Sequence, residues 1–102
     1  MQNDRLRTAL GFAAKAGKCI SGDFGAERAI KDKKALAIAL DNGVSAATRE
    51  RYEEMCQRAG IPCVYLEDLG RAIGKDNRMI AAVTEAGFAR MIEETYKTSQ
   101  QK

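Results

Sequence analysis

Residues Lys18 to Lys34 read KCISGDFGAERAIKDKK. Cys19 and Ile20 form a short β-prone piece that runs into Ser21-Gly22-Asp23. A helix follows, with Ala26, Ala29 and Ile30 on one side and Arg28, Lys31 and Lys34 elsewhere. Glycine in a strand-to-helix turn lets a ligand approach the backbone, and the free N–H groups of a first helical turn attract anions. Lysines surround this turn, which points to a phosphate-rich partner. An ordinary strand–helix connection with a solvated basic face has the same signature.

Upstream, Leu6, Ala9, Leu10 and Ala13 recur at helical spacing until Gly17, predicting a helix of about 14 residues. Its end brings Lys15 and Lys18 to the opening of the central stretch. The second helix is expected from about Gly22 to Asp32. Next, Ala35 to Leu40 is an apolar run bounded by Lys34 and by Asp41-Asn42-Gly43, the pattern of a strand buried on both faces. Its alanines are poor strand formers. Ser45 is an N-cap candidate for a third helix through about Ala59, striped by Tyr52, Met55, Cys56 and Ala59. Arg49–Glu53 and Glu54–Arg58 can pair at i,i+4 on its wet face. Gly60 and Pro62 end it.

Pro62 to Leu66 reads as the next strand. Asp68 is placed to cap a short helix, Leu69 to Ile73, stopped by Gly74, and Met79 to Val83 reads as another buried strand. Phe88, Met91, Ile92 and Tyr96 trace a closing helix, and residues 98–102 read as a frayed tail. The order is a helix, then strand–helix repeated. It predicts the α/β class: a single domain over 1–102, built as a three-layer α/β/α sandwich around a mixed sheet of about four strands. In such sheets ligands sit at strand ends, against helix N-termini.

Composition narrows the classes. Hydrophobic residues make up 45% of the chain and charged residues 30%, which fits a folded, soluble protein. No apolar run approaches the roughly 20 residues that span a bilayer, so no membrane partner is expected. The N-terminal MQNDRLRTAL lacks a signal-peptide apolar region. Three cysteines without a close pair argue for a reducing, cytoplasmic setting. The net charge of +3 is unevenly spread: residues 1–34 carry +4, residues 35–69 carry −3 and residues 70–102 carry +2. A basic side facing a polyanion and an acidic side would follow.

Several motifs fail on spacing. Gly11 to Lys18, GFAAKAGK, has five residues between its glycines where a P-loop has four, and Cys19 stands where Ser or Thr belongs. Gly70 to Lys75, GRAIGK, has only three. The absence of histidine removes His-based triads and His-containing metal sites. Cys56 and Cys63 read as packing residues, and Glu53-Glu54 and Glu93-Glu94 as solvated pairs pointing two ways around a helix.

Specific pieces then line up: Gly22-Asp23-Phe24-Gly25-Ala26-Glu27-Arg28-Ala29-Ile30, the buried run to Leu40 with Asp41, Cys56, Gly60-Ile61-Pro62-Cys63-Val64, and Leu69-Gly70-Arg71-Ala72-Ile73-Gly74-Lys75. In order and spacing the chain resembles the kink-turn-binding ribosomal-protein family of the L-seven-Ae type. Leu10 to Lys18 and Ala82 to Ala89 further resemble its small bacterial YlxQ-like branch. The resemblance spans about Leu6 to Ile92 and implies an α/β/α sandwich that binds ribosomal or other structured RNA.

The resemblance also assigns the RNA-reading motif, G-x-N-E-x-x-K, to the start of the second helix. Gly22 matches its glycine and Arg28 stands at its lysine, but Phe24 and Gly25 replace Asn and Glu. Asn and Glu carry the donors and acceptors that read base edges, which Phe24 and Gly25 lack. Glu27 does not substitute, because two residues along a helix turn it roughly 200° away. Arg28 keeps a cation for phosphate or a base edge. The loop before Leu69, which reaches the RNA in the family, here holds Leu66, Glu67 and Asp68, and Phe24 or Leu66 could pack on a flipped base.

The expectation is therefore a small, non-catalytic RNA-binding protein of the ribosomal-protein type, without cofactor or metal, acting with ribosomal or translation components and with altered kink-turn reading. The expected contacts are Lys15, Lys18, Gly22, Phe24, Arg28, Lys31, Arg71 and Lys75, with Lys33 and Lys34 beside them. The alternative is a protein–protein adaptor on the same fold, using Glu50, Glu53, Glu54 or the exposed part of Phe24. An enzyme would need a thiol such as Cys19 to be reactive.

Overall fold

Four short strands form one mixed sheet. The structure, a computed structural model, describes residues 3–100. Its elements are α1 (Asn3–Lys15), β1 (Cys19–Ser21), α2 (Asp23–Lys31), β2 (Ala37–Asp41), α3 (Ala46–Ala59), β3 (Cys63–Leu66), α4 (Leu69–Ile73), β4 (Ile80–Val83) and α5 (Ala86–Gln100). Of the tail expected over 98–102, residues 98–100 continue α5, and 101 and 102 lie outside the described residues. β4 runs antiparallel to both β1 and β2, whereas β2 and β3, joined through α3, are parallel. The ends of β1, β2 and β3 and the start of β4 therefore share one edge of the sandwich.

The alanines of the central strands follow from alternation. Ala37, Ala39, Ala81 and Val83 face the layer of α1, α4 and α5, where Leu6, Leu10, Leu69 and Ile92 supply the bulk. Ile38, Leu40, Ile80 and Ala82 face α2 and α3 and pack on Ala26, Ala29, Ile30, Tyr52 and Cys56. On the first face small strand residues meet large helix residues, and on the second large strand residues meet the small Ala26 and Ala29, so each layer fills at interior density, which outweighs alanine's weak strand propensity. Gly11 lets α1 approach α4: a Cβ there would lie 3.0 Å from the Ala72 carbonyl oxygen.

Two expected contacts are corrected. Asp68 does not cap α4: it sits at φ 56° and makes no side-chain cap bond. Asp41 takes that role from the end of β2. Its Oδ1 accepts the Leu69 N–H at 2.9 Å and its Oδ2 accepts the Gly43 N–H at 2.8 Å. Along α3, Glu54 pairs with Arg58 as expected, but Glu53 does not pair with Arg49. Glu53 instead accepts the Tyr65 hydroxyl, and Arg49 lies 5.7 Å from the centre of the Tyr65 ring. Tyr65 thus engages both, its hydroxyl donating to the Glu53 carboxylate and its ring face receiving the Arg49 guanidinium. Ser45 caps α3 as expected, accepting the Thr48 N–H. Among the described residues no helix is long and apolar enough to cross a membrane.

Candidate functional site

The corner between β1 and α2 is built on Gly22. Its φ of 94° and ψ of 154° suit glycine alone. Its N–H donates to the Ile80 carbonyl at 2.8 Å, so the corner is tied to β4. No side chain caps α2, and the geometry of a helix start leaves its first N–H groups facing outward. Phe24 stands there 80% exposed. Gly25 lies under Ile20, whose Cγ2 would be 2.8 Å from a Cβ at that position. The missing side chain at 25 thus has a packing counterpart in Ile20.

Sequence reasoning missed Arg78. This half-buried side chain reaches back to the corner, with Nε 3.3 Å from Ser21 Oγ and Nη1 3.1 Å from Asn77 Oδ1. Its Nε would be 3.7 Å from a Cβ on Gly22. Both partners are neutral oxygens, so the guanidinium keeps its charge available. Gly70 holds the loop that presents it: a Cβ there would lie 2.4, 2.7 and 2.8 Å from the carbonyl oxygens of Lys75, Asp76 and Arg78. Next to Arg78, Met79 is 39% exposed. Asp68, Arg71, Asp76, Arg78 and Met79 are among the walls of an open cleft of about 620 Å³.

The other expected residues divide into groups. Arg71 also lines a second open cleft of about 450 Å³ between α1 and α4, shared with Lys15 and with Phe12, which is 55% exposed. Lys75 lies in the α4–β4 loop, where its N–H donates to the Gly70 carbonyl and its own carbonyl accepts the Arg78 N–H. Gly22, Phe24, Arg71 and Lys75 therefore gather with Arg78 at the same edge. Lys15 adjoins them through the second cleft. Lys18 does not belong there. It precedes β1, roughly 10 Å of strand away from Gly22, and its carbonyl accepts the Thr84 N–H and hydroxyl. Arg28 and Lys31 lie along α2 in i,i+4 pairs with Asp32 and Glu27, each at 3.3 Å.

A charged network braces the first turn of α2 from α3. Arg51 places Nη2 2.8 Å from Asp23 Oδ2 and Nη1 3.0 Å from Glu27 Oε1. The guanidinium lies 4.9 Å from the centre of the Tyr52 ring. The Tyr52 hydroxyl shares its proton between Asp23 Oδ1 at 2.7 Å and the Asp23 carbonyl at 2.9 Å. Hydrogen bonds from Arg51 and then Tyr52 hold the Asp23 carboxyl below its usual range. Burial first, and Asp23 second, push the Tyr52 phenol up. Burial also pushes the Cys19 thiol up to about 11, which opposes thiolate formation. Among the described residues no group of three His, Cys, Asp or Glu side chains is placed to hold a metal ion.

No protein-family model matches the chain. The chain is 34% identical over 83 residues to the RNA-binding protein YlxQ of Bacillus subtilis, covering 78% of this chain and 83% of that one. A Bacillus halodurans protein of unknown function superposes with a TM-score of 0.86 at 26% identity, over 91% of this chain and 97% of its own. The 15.5kD RNA binding protein of Giardia lamblia shares the fold, with a TM-score of 0.77 at 17% identity over 97% and 88% of the two chains. With this identity and coverage, on this sandwich, the chain belongs to the YlxQ family.

Proposed function

We propose that this protein binds structured RNA, ribosomal or ribosome-associated, through the sheet edge formed by the β1–α2 corner and the α4–β4 loop. The observation that carries the reading is the exposed Phe24 on the helix that starts at Gly22, with Arg78 against that glycine, in a chain 34% identical to a protein named for RNA binding. Gly22 lets a sugar–phosphate backbone approach, and the first N–H groups of α2 favour a phosphate. Phe24 offers a stacking face to an unpaired base, and stacking tolerates any base. Arg78 reaches a phosphate or the acceptor edge of guanine. Arg71 and Lys75 flank this centre, Lys15 extends it along α1, and Arg28 and Lys31 contribute once their exposed pairs open. Phe24 and Gly25 stand where the kink-turn family has its base-reading pair, so shape, stacking and Arg78 replace the reading by that pair. No catalytic step or cofactor enters this reading.

The test is a titration of a kink-turn RNA and of a plain duplex of equal length at two salt concentrations. Salt-sensitive binding is expected, with a slope that falls by about one on Arg78→Ala. Phe24→Ala should weaken binding to unpaired or kinked RNA by about 1–3 kcal/mol and leave the duplex unaffected. Absence of binding to either RNA would overturn the reading in favour of a protein partner on the same face.

A further inference from the structure

We propose that Arg51 is a positioning residue for RNA binding. It holds the Asp23 carboxylate against α3 so that the first turn of α2 stays open to a phosphate. This rests on the function proposed above. Asp23 is the first residue of α2 and neighbours Phe24. An acidic side chain there is attracted to the same N–H groups and the same positive helix end that would receive an external anion. Left free, it would both occupy that end and repel a phosphate.

The geometry keeps it elsewhere. Both carboxylate oxygens of Asp23 are engaged on the α3 side, Oδ2 by Arg51 at 2.8 Å and Oδ1 by the Tyr52 hydroxyl at 2.7 Å. Tyr52 is fully buried, so its anchor does not move. Arg51 is the cation paired with Asp23, whereas Glu27 also has Lys31. Both terminal nitrogens of Arg51 are used, and its plane lies over the Tyr52 ring. It therefore acts on the RNA through Asp23 and not by its own contact.

The experiment uses the full chain and a kink-turn RNA hairpin, with thermal unfolding of each variant followed in parallel. Arg51→Met should weaken binding about tenfold, the effect of one unscreened charge roughly 6 Å from a phosphate at an effective dielectric of about 40. Adding Asp23→Asn to that variant should restore affinity to within about twofold of the wild type. Adding Glu94→Gln, which restores the same net charge from an exposed position on α5, should not. Arg51→Lys keeps the charge but not the fork, and should fall between the two.

Unchanged affinity in Arg51→Met would overturn the inference. So would a loss that Asp23→Asn leaves in place, since that marks a direct contact if the salt slope drops, or a folding defect if the unfolding midpoint drops. A wild type that binds no RNA would remove the proposed function, and this inference with it. Wild-type binding with any of the preceding failures would remove this inference alone.

Discussion

Replacing Gly70 by alanine separates a steric requirement from a torsional one. Gly70 lies inside α4, and its added Cβ would stand 2.4 Å from the Lys75 carbonyl oxygen. That oxygen would have to retreat about 0.6 Å to reach 3.0 Å, and the Asp76 and Arg78 oxygens lie inside that limit too. All are backbone atoms, so no side-chain rotation relieves the clash. The bond from the Lys75 N–H to the Gly70 carbonyl, 2.7 Å long, would be strained with them. Overpacking of this kind costs about 1–3 kcal/mol, and three simultaneous clashes place it at the upper end. For a domain of this size that lowers the thermal midpoint by roughly 10–15 °C. Because the displaced loop carries Arg78, RNA affinity should fall in the variant even where it is fully folded. Gly74→Ala supplies the comparison: Gly74 has φ 79° and no atom within 4 Å of a Cβ. Its cost is torsional, about 1 kcal/mol, and should leave RNA affinity unchanged at temperatures where the protein is folded. Calorimetry and RNA titration on both variants decide the matter. A midpoint within about 3 °C of wild type for Gly70→Ala, small against the shift expected for 2–3 kcal/mol, would refute the packing account.

Asp41→Ala removes the acceptor of two N–H groups, and chemical denaturation should show a loss of about 2 kcal/mol. Asp41→Asn should lose less, since its one carbonyl oxygen still serves one of them; equal losses would deny the double role. Asp23 has a depressed folded-state carboxyl, so its contribution is present above its unfolded value of about 3.8 and disappears as pH falls through the lower folded value. The destabilisation caused by Asp23→Asn at pH 7 should therefore shrink by pH 3 in urea titrations, and an equal effect at both pH values would contradict the pairing with Arg51 and Tyr52. A Cys19 thiol held up at about 11 should react with iodoacetamide at pH 7.4 more than tenfold slower than after unfolding, by mass spectrometry. Comparable rates would reopen a role for it as a nucleophile.

The elements were legible because each carries its own period or punctuation. Ser45 and Gly60 bracket α3, and Gly74 ends α4. The alternation of strands and helices then predicted the layers. Pairing between distant strands was not legible, and the missed residue depends on it. Arg78 meets Ser21 across 57 positions only because β4 lies antiparallel to β1, an order that hydrophobic pattern does not encode. The same ignorance put Lys18 at the candidate site, since adjacency in sequence to Gly22 stood in for position, and a strand separates the two. Asp68 looked like a cap because it immediately precedes α4, but its positive φ turns its side chain away. Asp41 reaches the helix from a strand 28 residues earlier. Arg28 and Lys31 were correctly placed on α2, but their neighbours Asp32 and Glu27 partly neutralise them.

Phe24 contributes almost nothing to the core, being four-fifths exposed, whereas Gly25 lies tight under the Ile20 Cγ2 methyl. Position 24 is thus mechanically decoupled from the sandwich beneath it, whereas a side chain at 25 would press on β1 through Ile20. Gly22 and Gly70, which hold the corner and the loop in place, are tied to the scaffold as well. A fold arranged this way can change what this face prefers by drift at 24 while its scaffold stays under separate selection for stability. Ligand preference and foldability become independently adjustable within a single small domain.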